Sequence, residues 1–455
     1  MLNINKQKLL YDLFKAYYDA RKNKRNTLNQ LDFEFNLEEN LINLGEELFS
    51  GKYEVGRSIY FIQNHPVKRE VFAGDFRDRV VHHLIYNYIS PIFEKEFIYD
   101  SYSCRKGKGT SLGIKRVSKF IRSCSENYTK DCYVLKLDIS GYFMSINKDI
   151  LFEKIERVLR KYCYPITLPF CHPEFSSGSI MQEKCTKHCI KDPETSSGGH
   201  STKISSNFSK VGTISSGELI DFLSGKEGQY SYIFLMNLIK KVIYNDCTKN
   251  SVFRGKREDY LGLPKNKSLF YAKKGYGLPI GNLTSQLFSN IYLSDFDKFL
   301  KKELNIKYYG RYVDDFIIIH KDKDFLVSLI EKTKKYLNDN LGLIIHSNKI
   351  YLQHYSKGVL FLGAYINPYR VYIRKRTIGY FYKKIQKLNT KLKNNDFKLD
   401  DKIKQDFLST INSYLGMLNH YKAYKITKKL LINCISSNFL DYFYISKGYT
   451  KIMSK

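Results

Sequence analysis

Apolar side chains recur at helical spacing along the first fifty residues: Leu9, Leu10, Leu13, Phe14 and Tyr17, then Leu41, Leu44 and Leu48. That period predicts helices with one stripe turned to a core. After residue 51 the pattern changes. Extended segments are expected around Tyr60-Phe61 and Val71-Phe72, then a helix through Val80, Val81, Leu84 and Ile85. An apolar strand is predicted over residues 133–137, and two short strands joined by a tight turn over 308–319. Between them, residues 275–286 form a Gly/Pro loop that opens a helix continuing to Leu293. From about residue 371 the pattern is helical and basic, as in 381–388 and 424–430. The stretch 160–230 breaks the periodicity; its Ser, Gly and Thr content around 194–202 predicts a flexible loop.

The turn within 308–319 carries Asp314 and Asp315. Adjacent like charges are unfavourable unless something positive neutralises them. A hairpin tip can present two carboxylates to hard divalent cations, which take oxygen ligands. Two such ions about 3.5–4 Å apart can clamp the attacking and leaving oxygens of a phosphoryl transfer. A lone Asp-Asp pair is more often an ordinary acidic turn. The strand 133–137 runs into Asp138, the third carboxylate such a site needs, although a strand-end acid can equally cap a helix or form a turn. The glycines of 275–286 let backbone approach a ligand, and the helix that follows offers free N–H groups. Alone, that is a common loop–helix joint.

Together and in this order, the three segments resemble a reverse transcriptase. Leu137-Asp138-Ile139-Ser140-Gly141-Tyr142-Phe143 is similar to motif A of that family. Gly277-Leu278-Pro279-Ile280-Gly281-Asn282-Leu283-Thr284-Ser285-Gln286 is similar to motif B, and Tyr312-Val313-Asp314-Asp315 to motif C. Residues 69–83 look like the fingers motifs, 97–110 like the segment before the palm, 342–349 like motif D and 361–365 like motif E. The resemblance implies an α+β right-hand polymerase: fingers, a palm of antiparallel sheet with helices, and an α-helical thumb. The expected divisions are 1–130 for N-terminal helices and fingers, 131–160 for the motif A part of the palm and 161–230 for a partly flexible insertion. The rest of the palm takes 231–370 and the helical thumb 371–455, with no space expected for an RNase H, endonuclease or maturase domain.

The implied reaction is template-directed DNA synthesis, in which a primer 3′-hydroxyl attacks the α-phosphate of a dNTP and pyrophosphate leaves. By resemblance Asp138 and Asp314 ligate two Mg2+ ions, with Mn2+ as a substitute; Asp315 supports them, and Ile139 lends its carbonyl. Arg69 and Arg77 match cationic contacts to the triphosphate, while Arg79 is expected to pair with a local carboxylate. Either contact could instead be a surface ion pair. Lys349 matches a lysine that protonates the leaving pyrophosphate, or is a solvated surface lysine. Phe143 would collide with a ribose 2′-hydroxyl, unless it is core. Ile280, Gly281 and Gln286 belong to the nucleotide site; Ile280 replaces a Gln, removing a hydrogen bond beside the incoming base pair.

Ile280-Gly281 and Ser285-Gln286 differ from the Gln-Gly and Ser-Pro of retroviral and intron enzymes. This form, with residues 245–250 and 412–420, resembles the bacterial reverse transcriptases of diversity-generating retroelements and of antiviral defence. It implies cDNA synthesis from a dedicated noncoding RNA in defence. The alternatives are diversification, or template-independent or short-repeat DNA synthesis. A catalytically dead RNA scaffold conflicts with the intact acids. An accessory protein, a second reverse transcriptase or self-association is an expected partner.

Composition adds three points. The formal charge of +30 implies a polyanionic partner. An AT-rich genome would explain abundant Lys, but not by itself such an excess over acids. The 38 Tyr and 30 Phe include rings suited to base stacking, although most are expected in the core. No membrane-spanning run or signal peptide is read, so a bacterial cytoplasmic location is expected. The nine scattered cysteines suit reduced thiols. Cys163, Cys171, His172, Cys185, His188 and Cys189 could hold a structural Zn2+, but their spacing follows no zinc pattern and packed or accessible thiols are favoured.

Overall fold

The computed structural model describes residues 6–22, 27–64, 67–163 and 226–455. The fold is α+β, as the sequence implies. Its centre is a four-stranded antiparallel sheet in the order β5-β6-β3-β7. These strands are Tyr308–Tyr312 (β5), Asp315–His320 (β6), Tyr133–Leu137 (β3) and Tyr351–His354 (β7).

Strand alternation sends neighbouring side chains into two different cores. Leu135, Leu137, Phe316 and Ile318 face the larger core, which also contains the N-terminal helices. Val134, Ile317 and Ile319 face a smaller one with helix Thr110–Cys124 and the strands Val359–Phe361 (β8) and Ala364–Asn367 (β9). Both faces of β3 and β6 are covered, which explains why 316–319 reads as an unbroken apolar run.

Helix Phe76–Glu96 runs through the larger core, and buried positions occur nearly all round it. Helix Lys6–Arg21 lays Leu9, Leu13, Ala16, Tyr17 and Ala20 into the same core. The second N-terminal run lies in helix Leu37–Phe49, and a further helix, Leu28–Phe35, precedes it across Asn36.

The expected extended pair is Ser58–Gln63 (β1) and Arg69–Gly74 (β2), which are antiparallel. A third strand, Ser251–Phe253 (β4), lies parallel to β1 and brings Phe253 within 5.2 Å of Tyr60, centroid to centroid. Three residues are too short to show a period, so β4 escapes a periodicity reading.

Beyond Arg370–Ile373 (β10) come helices Lys375–Lys393, Asp401–Leu418, Tyr424–Asn433 and Ser437–Leu440. They have their own core, in which Phe407 stacks on Phe439 at 4.1 Å and Phe443 at 5.1 Å. The region is not wholly helical. Phe443–Ile445 (β11) and Ile452–Ser454 (β12) form a hairpin, held by both polar atoms of the Asn412 side chain on the Ile452 backbone.

Most of the expected insertion lies outside the described residues, as do Cys171, His172, Cys185, His188 and Cys189. Among the described residues, Cys104, Cys124, Cys132, Cys247 and Cys434 are free thiols, and no helix is long and apolar enough to cross a membrane.

The loop before helix Leu283–Tyr292 presses against β2. Phe72 N donates to Ile280 O at 2.7 Å. Gly281 has φ +134°, and a Cβ there would lie 2.4 Å from Phe72 O. Neither conflict is relieved by moving a side chain. Gly281→Ala should therefore cost about 1–3 kcal/mol of stability. Denaturant titration checks this, and an unchanged midpoint would refute the backbone contact.

Candidate active site

The β5–β6 turn is the most constrained part of the site. Tyr312 and Asp315 form its last register pair, leaving Val313 and Asp314 as a two-residue connection. Val313 has φ +57°, where a β-branched residue is strained. Several bonds hold it there. Arg311 donates through Nη1 to Val313 O at 2.8 Å, and Val313 N donates to Ser103 Oγ at 3.2 Å.

Arg311 is itself fully buried. Its Nε and Nη2 grip the two oxygens of buried Asp297 at 2.8 and 2.6 Å, and Nη1 also reaches Asn290 Oδ1 at 3.3 Å. Asn290 in turn exchanges hydrogen bonds with Ser103, at 3.0 Å through the hydroxyl and 2.8 Å through the carbonyl. Tyr309 adds a hydroxyl donor to Asp297, and burial beside that carboxylate pushes the phenol well up. Buried charges are tolerated only when paired and bonded in this way.

The carboxylates gather at neighbouring strand ends. Leu137 pairs with Phe316 in the β3–β6 ladder, so one step further Asp138 stands opposite Asp315. Asp314 lies at the tip beside them. Burial first, then the charges of Asp138 and Asp315, push its carboxyl up to about 7; Arg69 pulls the other way. A cluster of acids is thus held together against its own repulsion.

Two lysines offset part of it. Lys349 Nζ pairs with Asp138 Oδ2, and Lys136 Nζ lies 3.3 Å from Asp315 Oδ1. The backbone explains how Lys349 arrives. His346 N donates to Asp138 O at 2.8 Å, and Ser140 N to Ile344 O at 2.8 Å. A turn of 3-10 helix, Ser347–Lys349, then carries the lysine to the carboxylate. Ile139 sits between those two bonds, opposite Ile345. In such a pair the central residue's own N–H and C=O turn away from the partner strand.

The other expected residues divide into two groups. Phe143 is half-buried, packs edge-on to Tyr142 at 5.5 Å, and accepts Leu278 N through its carbonyl at 2.9 Å. That bond ties the Asp138 segment to the 277–286 loop. Ile280 and Gly281 lie between this loop and β2, and Gln286 is exposed on the following helix. Arg69, at the start of β2, is exposed and near enough for its charge to act on Asp314.

Arg77 is placed elsewhere. It pairs with Glu47, donates to Glu54 O at 3.2 Å and lies over the Tyr53 ring at 4.9 Å, braced against the N-terminal helices. Arg79 donates to Gly74 O at 2.8 Å, and burial draws its guanidinium down. Among the described residues it makes no ion pair, in contrast to the expected carboxylate partner.

Sequence reading missed Arg311, Asp297, Asn290, Ser103 and Lys136. The available signal was a charge in an otherwise apolar strand, with a polar residue inside an apolar helix. Their partners are far apart in sequence.

Residues 243–366 match the family model described as reverse transcriptase (RNA-dependent DNA polymerase). This span holds the 277–286 loop, the Asp314 turn and Lys349. The chain is also similar to Protein YkfC of Escherichia coli (strain K12), with 28% identity over 116 residues, covering 25% of this chain and 30% of that protein. The chain therefore spans less than a third of that relative. Among solved structures it is similar to telomerase from Candida albicans with a fragment of telomeric RNA, at TM-score 0.37 and 11% identity. That match covers 89% of this chain and 65% of the telomerase. Apo telomerase from Candida tropicalis, truncated from its C-terminal domain, gives TM-score 0.39 and 14% identity, covering 74% and 60%.

The donor set fits hard divalent cations: carboxylates from two strand ends and a backbone carbonyl. Among the described residues no three His, Cys, Asp or Glu side chains make a closed metal-binding cluster. Asp138 and Asp315 are instead drawn toward their lysines.

Two outcomes follow from this geometry. Asp297→Asn leaves the Arg311 charge buried without its counter-ion, so it should cost about 3–5 kcal/mol. Chemical denaturation reads this, and a loss below about 1 kcal/mol would show that the pair does not brace the turn. The second outcome concerns pH. Asp314 binds its proton more tightly in the fold than in the unfolded chain, where Asp titrates near 4. Metal-free stability should therefore fall as pH rises from about 4 to 7. Asp314→Asn should be more stable than the parent at pH 8 by about 1–3 kcal/mol and alike at pH 4. Equal melting curves at pH 8 would refute the mutual repulsion.

Proposed function

We propose that this chain is an RNA-directed DNA polymerase that copies a dedicated noncoding RNA into cDNA, in bacterial antiviral defence. The observation that carries the polymerase reading is the meeting of Asp138 and the Asp314-Asp315 turn at neighbouring ends of β3 and β6, with Lys349 at Asp138. The match of 243–366 to the reverse transcriptase family supports it. The defence role and the RNA partner rest on the resemblance of the Ile280-Gly281 and Ser285-Gln286 forms.

In this reading Asp138, Asp314 and the Ile139 carbonyl would hold two Mg2+ ions, with Mn2+ as a substitute. When bound, the ions activate the primer hydroxyl and neutralise charge on the transferring phosphate. Asp315, tied to Lys136, keeps the turn's second carboxylate in place. Arg69 supplies positive charge at the triphosphate end. Lys349 exchanges the Asp138 carboxylate for the leaving pyrophosphate and gives it a proton. Phe143 sits against the sugar and excludes a 2′-hydroxyl. Arg77 acts indirectly, by fixing the start of helix Phe76–Glu96 on the N-terminal helices. Residues 371–455 form a thumb that grips the duplex. The chain does little covalent chemistry, and rate comes from positioning and charge.

The test uses protein purified with its bound RNA, beside Asp314→Ala/Asp315→Ala. With dNTPs and Mg2+, the parent should make DNA complementary to one bound RNA, and the variant at least a thousandfold less, on the order of a lost electrostatic centre. A homopolymeric or simple-repeat product would replace the RNA-templated reading with untemplated synthesis. Equal product from both proteins would remove the proposed site.

A further inference from the structure

At the far end of the central sheet, away from the acids, lies a region of concentrated positive charge. β5 runs from Tyr308 toward the Asp314 turn, and β6 runs back to His320. Tyr308 and His320 are thus one strand length, about 17 Å, from the catalytic end. Two open hollows meet there, of about 430 and 660 Å3, sharing Ser123 and Glu126 as common walls.

Helix Thr110–Cys124 forms one side. It turns Ile114, Val117, Ile121 and Cys124 into the smaller core, which leaves Lys115, Lys119 and Arg122 on the opposite, exposed face. Those three follow at i, i+4 and i+7, so they line up along one stripe. The other side comes from the sheet edge, with Lys307 and Lys321 both exposed. The one acid among the lining residues is Glu126, already shared between Lys321 and Lys130 at 2.7 Å each. Among the described residues, Lys115, Lys119, Arg122 and Lys307 make no ion pair with a carboxylate. Tyr308 contributes a hydroxyl, 2.9 Å from Ser123 Oγ, beneath the Lys307 ammonium.

A row of cations without counter-ions is costly in a protein already carrying +30, unless a polyanion lies along it. The spacing suits a chain of phosphates. Lys115 and Arg122 are seven residues apart on the helix, about 10 Å, which spans one to two nucleotides of a single strand. The open shape and the small number of exposed rings disfavour a base pocket.

We infer that this groove binds the phosphodiester backbone of RNA outside the catalytic cleft, and so anchors a noncoding RNA to the back of the central sheet. The inference rests on the RNA-directed reading above for the identity of the polyanion. It adds a surface that the polymerase reaction does not need.

The experiment is a salt titration of binding, with full-length protein and a labelled 40-nucleotide poly(rU) probe. The parent is compared with Lys115→Gln/Lys119→Gln/Arg122→Gln, and separately with Lys307→Gln/Lys321→Gln on the opposite wall. Loss of three phosphate contacts should lower the slope of log K against log salt by about 2, and the two-residue variant should lower it by about 1.4. Affinity at 150 mM salt should drop roughly tenfold for the triple variant. Extension of a short DNA primer on a 12-nucleotide RNA template, confined to the cleft, should stay within twofold of the parent.

An unchanged slope in both variants, with unchanged melting temperatures, overturns the inference. So does a loss of binding to single-stranded DNA or to polyglutamate while poly(rU) binding is kept, since the occupant would then be DNA or an acidic protein. A parallel loss of short-template extension also overturns it, because the residues would be acting on the fold or the cleft. The two readings separate cleanly. A parent that makes no DNA but shows the groove-dependent slope loses the polymerase reading and keeps the groove. A parent that polymerises with no groove dependence does the reverse.

Discussion

A buried ion pair underlies the candidate site. Arg311 and Asp297 are both fully excluded from solvent, and neither would be tolerated there alone. Their pairing leaves the Nη1 group of Arg311 to donate to the carbonyl of Val313 and to Asn290. That bond, with Ser103 on the Val313 amide, holds a β-branched residue at positive φ. The carboxylate of Asp314 projects from this strained turn into a space already occupied by two other acids. Such an arrangement needs a stiff mount, because relaxation of the turn is the easiest way to relieve the repulsion.

The mount is assembled from segments distant in sequence. Asp297 follows the 277–286 loop and its helix, Ser103 comes from the stretch after helix Phe76–Glu96, and Arg311 from β5. Similar stitching holds the other half of the site. Bonds from 344 and 346 to the residues after β3 set Lys349 against Asp138, while Phe143 and Leu278 join the Asp138 segment to the glycine loop. The loop then closes through Ile280 and Gly281 on β2, the strand that begins at Arg69. Each element is fixed by the next, so the position of one carboxylate depends on four separate stretches of chain.

Charge is organised on the same principle of neutralisation. In the site, Lys349 and Lys136 partly balance the acids. At the other end of the sheet the imbalance is reversed: cations outnumber acids, and Glu126 is already shared. Between these regions the two cores cover both faces of β3 and β6, and the acids and the basic groove stand about one strand length, 17 Å, apart.

Much of this was legible in the chain. The strands around Asp138 and Asp314 announce themselves as apolar runs ending in acids, because a sheet buried on both faces admits few other residues. The N-terminal and C-terminal helices show their period because each buries one stripe. Short strands such as β4, β11 and β12 carry too few residues to show a period. Arg311, Asp297 and Asn290 read as isolated polar residues, since their meaning lies in partners that only folding brings near. Arg77 and Lys349 make the same point from opposite sides. Both match family positions, yet the tertiary structure ties one to Glu47 and Tyr53 and brings the other to Asp138. The sequence by itself determined which residues could do the chemistry, because local pattern and residue type are properties of the chain. Which of them meet was decided by tertiary structure alone, because burial, hydrogen bonding and charge repulsion act between side chains however far apart they lie in sequence.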